Sequence, residues 1–314
     1  MFSIQEIVIV YNPASGIRGR RRLLLNLRKC KKFLRRNNYK YNYIKTKHRG
    51  HAIDIIENLR EVDLVITVGG DGTFNEAVTG NLKREKHLVL SHIPTGTTND
   101  LGAIFCLGRN MLENLKLILN GEVCGIDICN INNKPFVYVA GFGRFLDIPY
   151  ETSRKVKKRL GYMAYVLNGV KEFFIGKTHL YQITYELEGE KHTEKCSFAL
   201  ISNANKVAGI RNMYKDVKIN DGQFEVLLCN LRKKSEIIRA LFAIASSNIT
   251  TANGFKFFRT DYLKINFEEH LKKPWCLDGE KFDCDVLEYE IRTNTTLKML
   301  LPQKALKEGG IIEK

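Results

Sequence analysis

Along the first third of the chain, short unbroken apolar runs alternate with longer stretches of helical spacing. The runs at 7–11, 39–45, 64–68 and 88–93 are rich in Ile, Val, Leu and Tyr and predict strands. The stretches at 20–36, 50–59, 75–82 and 111–119 repeat apolar positions every three or four residues and predict helices. Strand and helix in strict turn imply a parallel sheet covered by helices. Past Gly125 the texture changes. Ile126, Ile128 and Asn130, then Val137 and Val139, begin shorter alternating segments, and further strands are predicted at 179–187, 196–202, 224–229, 262–267, 285–292 and 297–301. Two helical patterns, 153–174 and 234–245, interrupt them. Many strands with few helices predict an antiparallel second domain, a sandwich or a barrel. The expected division is an α/β domain at 1–125 and a β-rich domain at 126–301, with the tail 302–314 free to pack back on the first.

The 314-residue chain has 44% hydrophobic and 27% charged residues, enough apolar material for a buried core. No apolar run approaches the roughly 18 residues that span a bilayer. The first ten residues include Glu6 and no small-residue cleavage site, so a soluble, cytoplasmic protein is expected. Eight cysteines are scattered without a CxxC pair, the pattern of free thiols in a reducing compartment. The histidines show no HExxH spacing, so no zinc site is expected.

The formal net charge of +16 invites a nucleic-acid reading, but its placement narrows that. Residues 7–53 hold fourteen basic side chains and no acidic one, while the rest of the chain is nearly balanced. Leu23, Leu24, Leu27, Cys30 and Leu34 form an apolar stripe there, so the segment reads as an amphipathic helix with a basic face. That face is either merely solvated or meets an anionic partner, a membrane surface or a nucleic acid. No zinc-finger spacing or aromatic RNA-binding motif supports the last, so no nucleic acid is expected, and DNA or RNA binding without catalysis is a distant alternative.

The strongest chemical signal is Leu64-Val65-Ile66-Thr67-Val68-Gly69-Gly70-Asp71-Gly72-Thr73, a buried-looking strand ending in a glycine-rich turn that opens a helix. Glycines there would permit positive φ and let a polyphosphate approach backbone N–H groups. Asp71 adds a carboxylate able to hold Mg²⁺ against phosphates. Thr73 and Glu76 match a helix capping box, a purely structural alternative. The spacing fits neither a dinucleotide fingerprint nor a P-loop. Two more strand ends carry small polar residues: Asn12-Pro13-Ala14-Ser15-Gly16, and Pro94-Thr95-Gly96-Thr97-Thr98-Asn99-Asp100. Three such loops along one sheet make a phosphate-binding crest.

At these residues the sequence resembles the diacylglycerol kinase catalytic-domain family, which includes soluble bacterial lipid kinases and is related to sphingosine kinases. The match rests on 69–76, Asn12–Gly16, His48-Arg49-Gly50-His51-Ala52, Gly96-Thr97-Thr98-Asn99-Asp100, Asn220-Asp221-Gly222 and Leu277-Asp278-Gly279-Glu280. The resemblance implies an α/β nucleotide-binding domain joined to a β-sandwich, and transfer of the γ-phosphate of ATP to a lipid hydroxyl, diacylglycerol foremost. It implies ATP contacts at Asn12, Pro13, Ala14, Ser15, Gly16, Thr46, Gly69, Gly70, Asp71, Gly72, Thr73, Phe74, Asn75 and Thr97. It implies a structural Mg²⁺ at the Asp221 side chain and the Lys218 and Gln223 carbonyls, with Asp71 linked to metal through water. Asp278 and Glu280 become the reactive carboxylates, Asp278 as base. An extended backbone would put this i, i+2 pair on one face, whereas a hairpin turn would leave two solvated acids. A basic-to-apolar stretch, Arg154 through Leu167, would suit entry of lipid from an anionic membrane touched peripherally, and a homodimer is compatible with all of this. NAD kinase shares the Gly-Gly-Asp-Gly turn and is the nearest alternative, but the Leu277–Glu280 and Asp221-Gly222 motifs speak for a lipid.

Overall fold

The computed structural model describes residues 3–15, 19–96, 99–143, 179–204, 206–207, 210–211, 214, 217–231, 236, 253–308 and 311. The predicted helical patterns at 153–174 and 234–245 lie outside the described residues apart from Glu236. The chain divides into two compact units, Met1–Ile126 with Thr296–Lys314, and Asp127–Thr295.

The first unit follows the predicted alternation. β1 (Glu6–Tyr11), α1 (Arg20–Arg36), β2 (Lys40–Lys45), α2 (His51–Glu57), β3 (Leu64–Gly69), α3 (Asp71–Leu82), β4 (Leu90–Pro94), α4 (Asp100–Ile104) and α5 (Met111–Leu119) run in that order. The strands are parallel in the order β2-β1-β3-β4. Every residue of β3 and β4 is buried, as a strand covered on both faces requires. β2 exposes Lys40, Asn42 and Lys45, which is how an edge strand discourages pairing with another chain. On α1 the buried positions are Leu23, Leu27, Cys30 and Leu34; Leu24, placed in the same stripe by sequence, faces solvent.

The short helix α2 is held at both ends by α3 and the turn after it. Glu76 on α3 accepts the N–H groups of Gly50 and Ala52 at 2.8 and 3.2 Å, and the Arg84 guanidinium donates to the carbonyls of Ile56, Glu57 and Leu59. A carboxylate at the N-terminus and a cation at the C-terminus both suit the helix dipole. Glu76 therefore caps a neighbouring helix, and the capping box expected with Thr73 does not form. α3 starts at Asp71, four residues earlier than its apolar period indicated, with Gly70 as the N-cap.

The second unit is antiparallel. Its strands are the second half of β5 (Glu122–Ile131), then β6 (Lys134–Phe136), β7 (Val139–Gly143), β8 (Tyr181–Leu187), β9 (Glu190–Cys196), β10 (Phe198–Ser202), the two-residue β11 (Lys206–Val207) and β12 (Ile210–Arg211), β13 (Phe224–Cys229), β14 (Phe255–Thr260), β15 (Tyr262–Phe267), β16 (Trp275–Leu277), β17 (Glu280–Phe282) and the first part of β18 (Glu288–Leu301). One sheet runs β14-β13-β10-β7-β16-β17, and β9-β8-β15-β18 forms the other, with β5 and β6 beside β18. Their facing side chains share a core that includes Phe142, Ile201, Val226 and Trp275 from one sheet and Tyr181, Ile265, Phe267 and Tyr289 from the other. Trp275 lies 5.0 Å from Phe142 and 5.2 Å from Tyr289, ring centre to ring centre. This is the expected sandwich. The last part of β18 belongs to the first unit, where Met299 pairs parallel with Leu90 and Ser91 donates to the Leu300 carbonyl at 2.8 Å. A final helix, α6 (Gln303–Glu308), follows it. Among the described residues no helix is long and apolar enough to cross a membrane.

The contact of α2 with α3 leaves no room at Gly80, where an added Cβ would meet the Ile53 carbonyl oxygen at 2.4 Å. A backbone atom cannot swing aside, so Gly80→Ala is expected to destabilise the protein by roughly 1–3 kcal/mol in urea unfolding. Gly222→Ala, at a positive-φ turn with open space around it, tests whether the loss is steric: its cost should come from backbone strain alone and stay below that of Gly80→Ala.

Candidate functional site

The strand order turns back on itself at β1: the chain leaves β1 for β2 on one side and returns to β3 on the other. Crevices for ligands open beyond the carboxyl ends of strands at such switch points. Three loops meet there, after β1, β3 and β4. The Asn12 N–H donates to the Val68 carbonyl at 2.9 Å, and its side-chain amide donates to Thr73 Oγ1 at 3.4 Å. Asn12 Oδ1 accepts the Ala14 N–H at 2.9 Å, closing the small turn through Pro13. Ser15 Oγ donates to the Asn12 carbonyl at 2.7 Å and lies 2.8 Å from Thr95 Oγ1. Thr95 N–H in turn donates to the Gly69 carbonyl at 2.7 Å.

The glycines serve close packing rather than positive φ. A Cβ on Gly69 would strike Thr73 Oγ1 at 2.4 Å, and one on Gly96 would sit 2.8 Å from the Gly70 Cα. Gly70 itself has φ −86°. The β3 and β4 loops therefore touch backbone to backbone above the first turn of α3, whose leading N–H groups have no partner within the helix. Asp71 opens α3, is buried, and accepts the Asp100 N–H at 3.1 Å, tying α3 to the start of α4.

The structure brings Asn12, Pro13, Ala14, Ser15, Gly69, Gly70, Asp71, Gly72 and Thr73 to this crest. Thr46 is beside it, buried, with its N–H on the Tyr11 carbonyl at 3.0 Å. Asn75 lies on α3, its carbonyl accepting the Thr79 hydroxyl. The Phe74 ring is wholly buried against His92 and Phe105, which leaves its main chain as the part that lies toward the crest. Gly16 and Thr97 lie outside the described residues. Thr95 and Gly96 are partners that sequence reading left as an ordinary turn, because their role depends on contacts with the other two loops.

In the second unit, Asp278 and Gly279 have φ +48° and +83° and form a two-residue connection between β16 and β17. Positive φ at both positions is what a type I′ hairpin turn requires, and Asp-Gly suits it. The extended arrangement with both carboxylates on one face is thereby overturned. Asp278 is buried and Glu280, the first residue of β17, is exposed. The Asp278 carboxylate accepts three backbone N–H groups, from Val137 at 2.7 Å, Tyr138 at 3.0 Å and Val139 at 3.1 Å, and its own N–H donates to the Val139 carbonyl at 2.8 Å.

Asp221 begins another turn. Its Oδ1 accepts the Gln223 N–H at 3.1 Å, while buried Asp127 accepts the Gly222 N–H at 2.7 Å. Burial, reinforced by Asp127, holds the Asp221 carboxyl above its usual range. Glu225 next to it is buried, and burial pushes its carboxyl up to about 8 despite Arg259 Nε at 3.2 Å. Sequence reading found Asp221 and missed Asp127 and Glu225, which lie on separate strands. No group of three or more His, Cys, Asp or Glu forms a metal cluster among the described residues. The turn fits a hard cation in chemistry nonetheless, since the Asp221 carboxylate and the Lys218 and Gln223 carbonyls are oxygen donors.

A family model described as the diacylglycerol kinase catalytic domain matches residues 6–131. A diacylglycerol kinase of Bacillus subtilis is 29% identical over 276 residues, covering 87% of this chain and 88% of its own. One from Staphylococcus carnosus is 30% identical over 234 residues, covering 73% and 74%. The crystal structure of a diacylglycerol kinase from Bacillus anthracis matches with a TM-score of 0.76 at 22% identity, over 97% of this chain and 99% of that one, a likeness of fold.

Beneath the crest, His92 on β4 is fully buried, with Nδ1 2.8 Å from Thr67 Oγ1, and burial lowers its pKa to about 3. Between pH 3 and 6.5 the unfolded chain therefore binds a proton there that the folded one does not, so stability falls as pH drops through that window. The Glu225 shift works oppositely, costing stability as pH rises from 4.5 towards 8, and is common to wild type and variant. Relative to His92→Asn, wild type should lose roughly 1.4 kcal/mol per pH unit below 6.5 in denaturant titrations. Parallel pH profiles would show that His92 is not the proton acceptor.

Proposed function

The chain belongs to the diacylglycerol kinase catalytic-domain family and is a lipid kinase; from that premise we propose that it carries the γ-phosphate of ATP to a lipid hydroxyl, with diacylglycerol as acceptor and phosphatidic acid as product. The observation that carries the nucleotide half is the crest, where three loops converge over the N-terminus of α3 at the switch point. Backbone N–H groups and a helix dipole there favour a polyphosphate. Ser15, Thr95 and the Asn12 amide supply further polar groups around it. Mg²⁺, when bound, would neutralise phosphate charge; Asp71 is the crest carboxylate assigned to meet it through water, and Asp221 with the Lys218 and Gln223 carbonyls would hold a structural ion.

The acid pair supports a division of labour that differs from the one expected from sequence. A carboxylate engaged by three N–H donors is poorly placed to take a proton, so Asp278 acts as a positioning residue that pins 137–139 to the hairpin. Glu280, exposed on the next strand residue, is assigned the role of base for the lipid hydroxyl. The phosphoryl group itself needs little covalent help; transfer depends on in-line positioning and on charge stabilisation. A substrate that lives in a bilayer makes peripheral membrane contact part of this reading.

The experiment is transfer of labelled phosphate from ATP to a panel of lipids, with NAD as a further acceptor. Diacylglycerol is expected to be labelled and NAD not. Glu280→Gln should lower kcat by roughly 10²–10⁴-fold with an unchanged melting temperature. Asp278→Asn should lose roughly 1–3 kcal/mol of stability, because one N–H donor then faces an amide. A fully stable, inactive Asp278→Asn beside an active Glu280→Gln would reverse the two roles.

A further inference from the structure

Resting on the lipid-kinase reading, we propose that α1 is the surface that seats the protein on an anionic bilayer, with Leu24 and Leu25 entering the headgroup region inside a ring of cations. The inner stripe Leu23, Leu27, Cys30 and Leu34 already anchors this helix to its unit. Leu24 and Leu25 add nothing to that core, being 38% and 49% exposed. Leu25 lies opposite the stripe, and its neighbours three and four residues away, Arg21, Arg22, Arg28 and Lys29, are all exposed bases.

The helix is built against its own stability, which points to a use for its outer face. Nine of its 17 residues are Arg or Lys and none is acidic. Arg20, Arg21 and Arg22 crowd the N-terminus, the wrong end for cations, and the N-cap Gly19 supplies no side-chain acceptor. Arg28–Lys32, Lys32–Arg36 and Lys31–Arg35 are like-charge pairs four apart. Among the described residues no carboxylate pairs with this helix. Lys31 alone leans on an aromatic ring, 4.6 Å from the centre of Tyr43.

A large cationic face attracts any polyanion, and the leucines choose between them. At a bilayer, cations gain about fivefold in partitioning per side chain from anionic headgroups, and apolar side chains gain more by leaving water. Against a nucleic-acid backbone, a leucine at the centre of the face gains nothing.

The test is co-sedimentation of the full chain with phosphatidylglycerol and with phosphatidylcholine vesicles at several salt concentrations. Wild type should bind the anionic vesicles and not the neutral ones. The variants are Leu24→Ser with Leu25→Ser, and Arg21→Gln, Arg22→Gln and Arg28→Gln together. Each should lower binding to anionic vesicles at least tenfold without changing the melting temperature, since all these side chains face solvent. Phosphorylation of diacylglycerol in neutral detergent micelles should stay at the wild-type rate in both variants. Unchanged vesicle binding with intact micelle activity would overturn the role of α1 and leave the kinase reading standing. Absent micelle activity in wild type would instead sink the kinase reading. Tight, salt-sensitive binding to duplex DNA, lost in the arginine variant and kept in the leucine variant, would overturn the bilayer in favour of nucleic acid.

Discussion

The backbone contact between the β3 and β4 loops is the constraint on which the first unit's chemistry depends. A Cβ on Gly96 would come within 2.8 Å of the Gly70 Cα, so the β4 loop can carry no side chain there, and the Thr95 N–H closes on the Gly69 carbonyl at 2.7 Å. Ser15 then joins the β1 loop to the same assembly. The result is a cluster of main-chain donors and small hydroxyls tied to one another across the three loops. Below it, Thr67 and His92 share a fully buried hydrogen bond, and the Phe74 ring packs in the core beneath the crest.

The second unit solves a different problem with a buried carboxylate. A buried anion is costly unless its lone pairs are satisfied, and Asp278 meets that condition with backbone donors from three successive residues. In doing so it locks a left-handed turn that Asn or Asp tolerates better than most residues. The two acids of one tetrapeptide thus do unlike work: one organises the backbone and the other faces water. The turn at Asp221 shows the reverse imbalance: burial, with a smaller repulsion from neighbouring acids, raises the Asp221 and Glu225 carboxyls, and Arg259 offsets this only in part.

Charge follows the same logic on a larger scale. The acid-free stretch at 7–53 begins in β1, passes through the crest loop and continues through α1, so the proposed phosphate and headgroup contacts draw on one basic segment. A helix that tolerates so much self-repulsion must be held by its buried stripe, and it is: Leu23, Leu27, Cys30 and Leu34 are each no more than 4% exposed.

Periodicity along the chain determined the four parallel strands of the first unit, the longer helices between them and the change of texture near Gly125, because burial on one or both faces leaves a pattern that needs no knowledge of partners; the short helices at 100–104 and 303–308 left no such pattern. The strand-ending glycines and the Asp-Gly pairs were legible for the same reason, being local demands of turns. What the tertiary structure decided lies in contacts between distant segments. Glu76 caps α2 rather than its own helix because α2 packs beside it. Thr95 and Gly96 matter because three loops meet, and Leu24 leaves the apolar stripe because the stripe's centre, not its composition, faces the sheet. Asp278 turns inward because three N–H groups from 137–139 stand where its side chain ends, and no spacing within Leu277–Glu280 encodes donors supplied some 140 residues away.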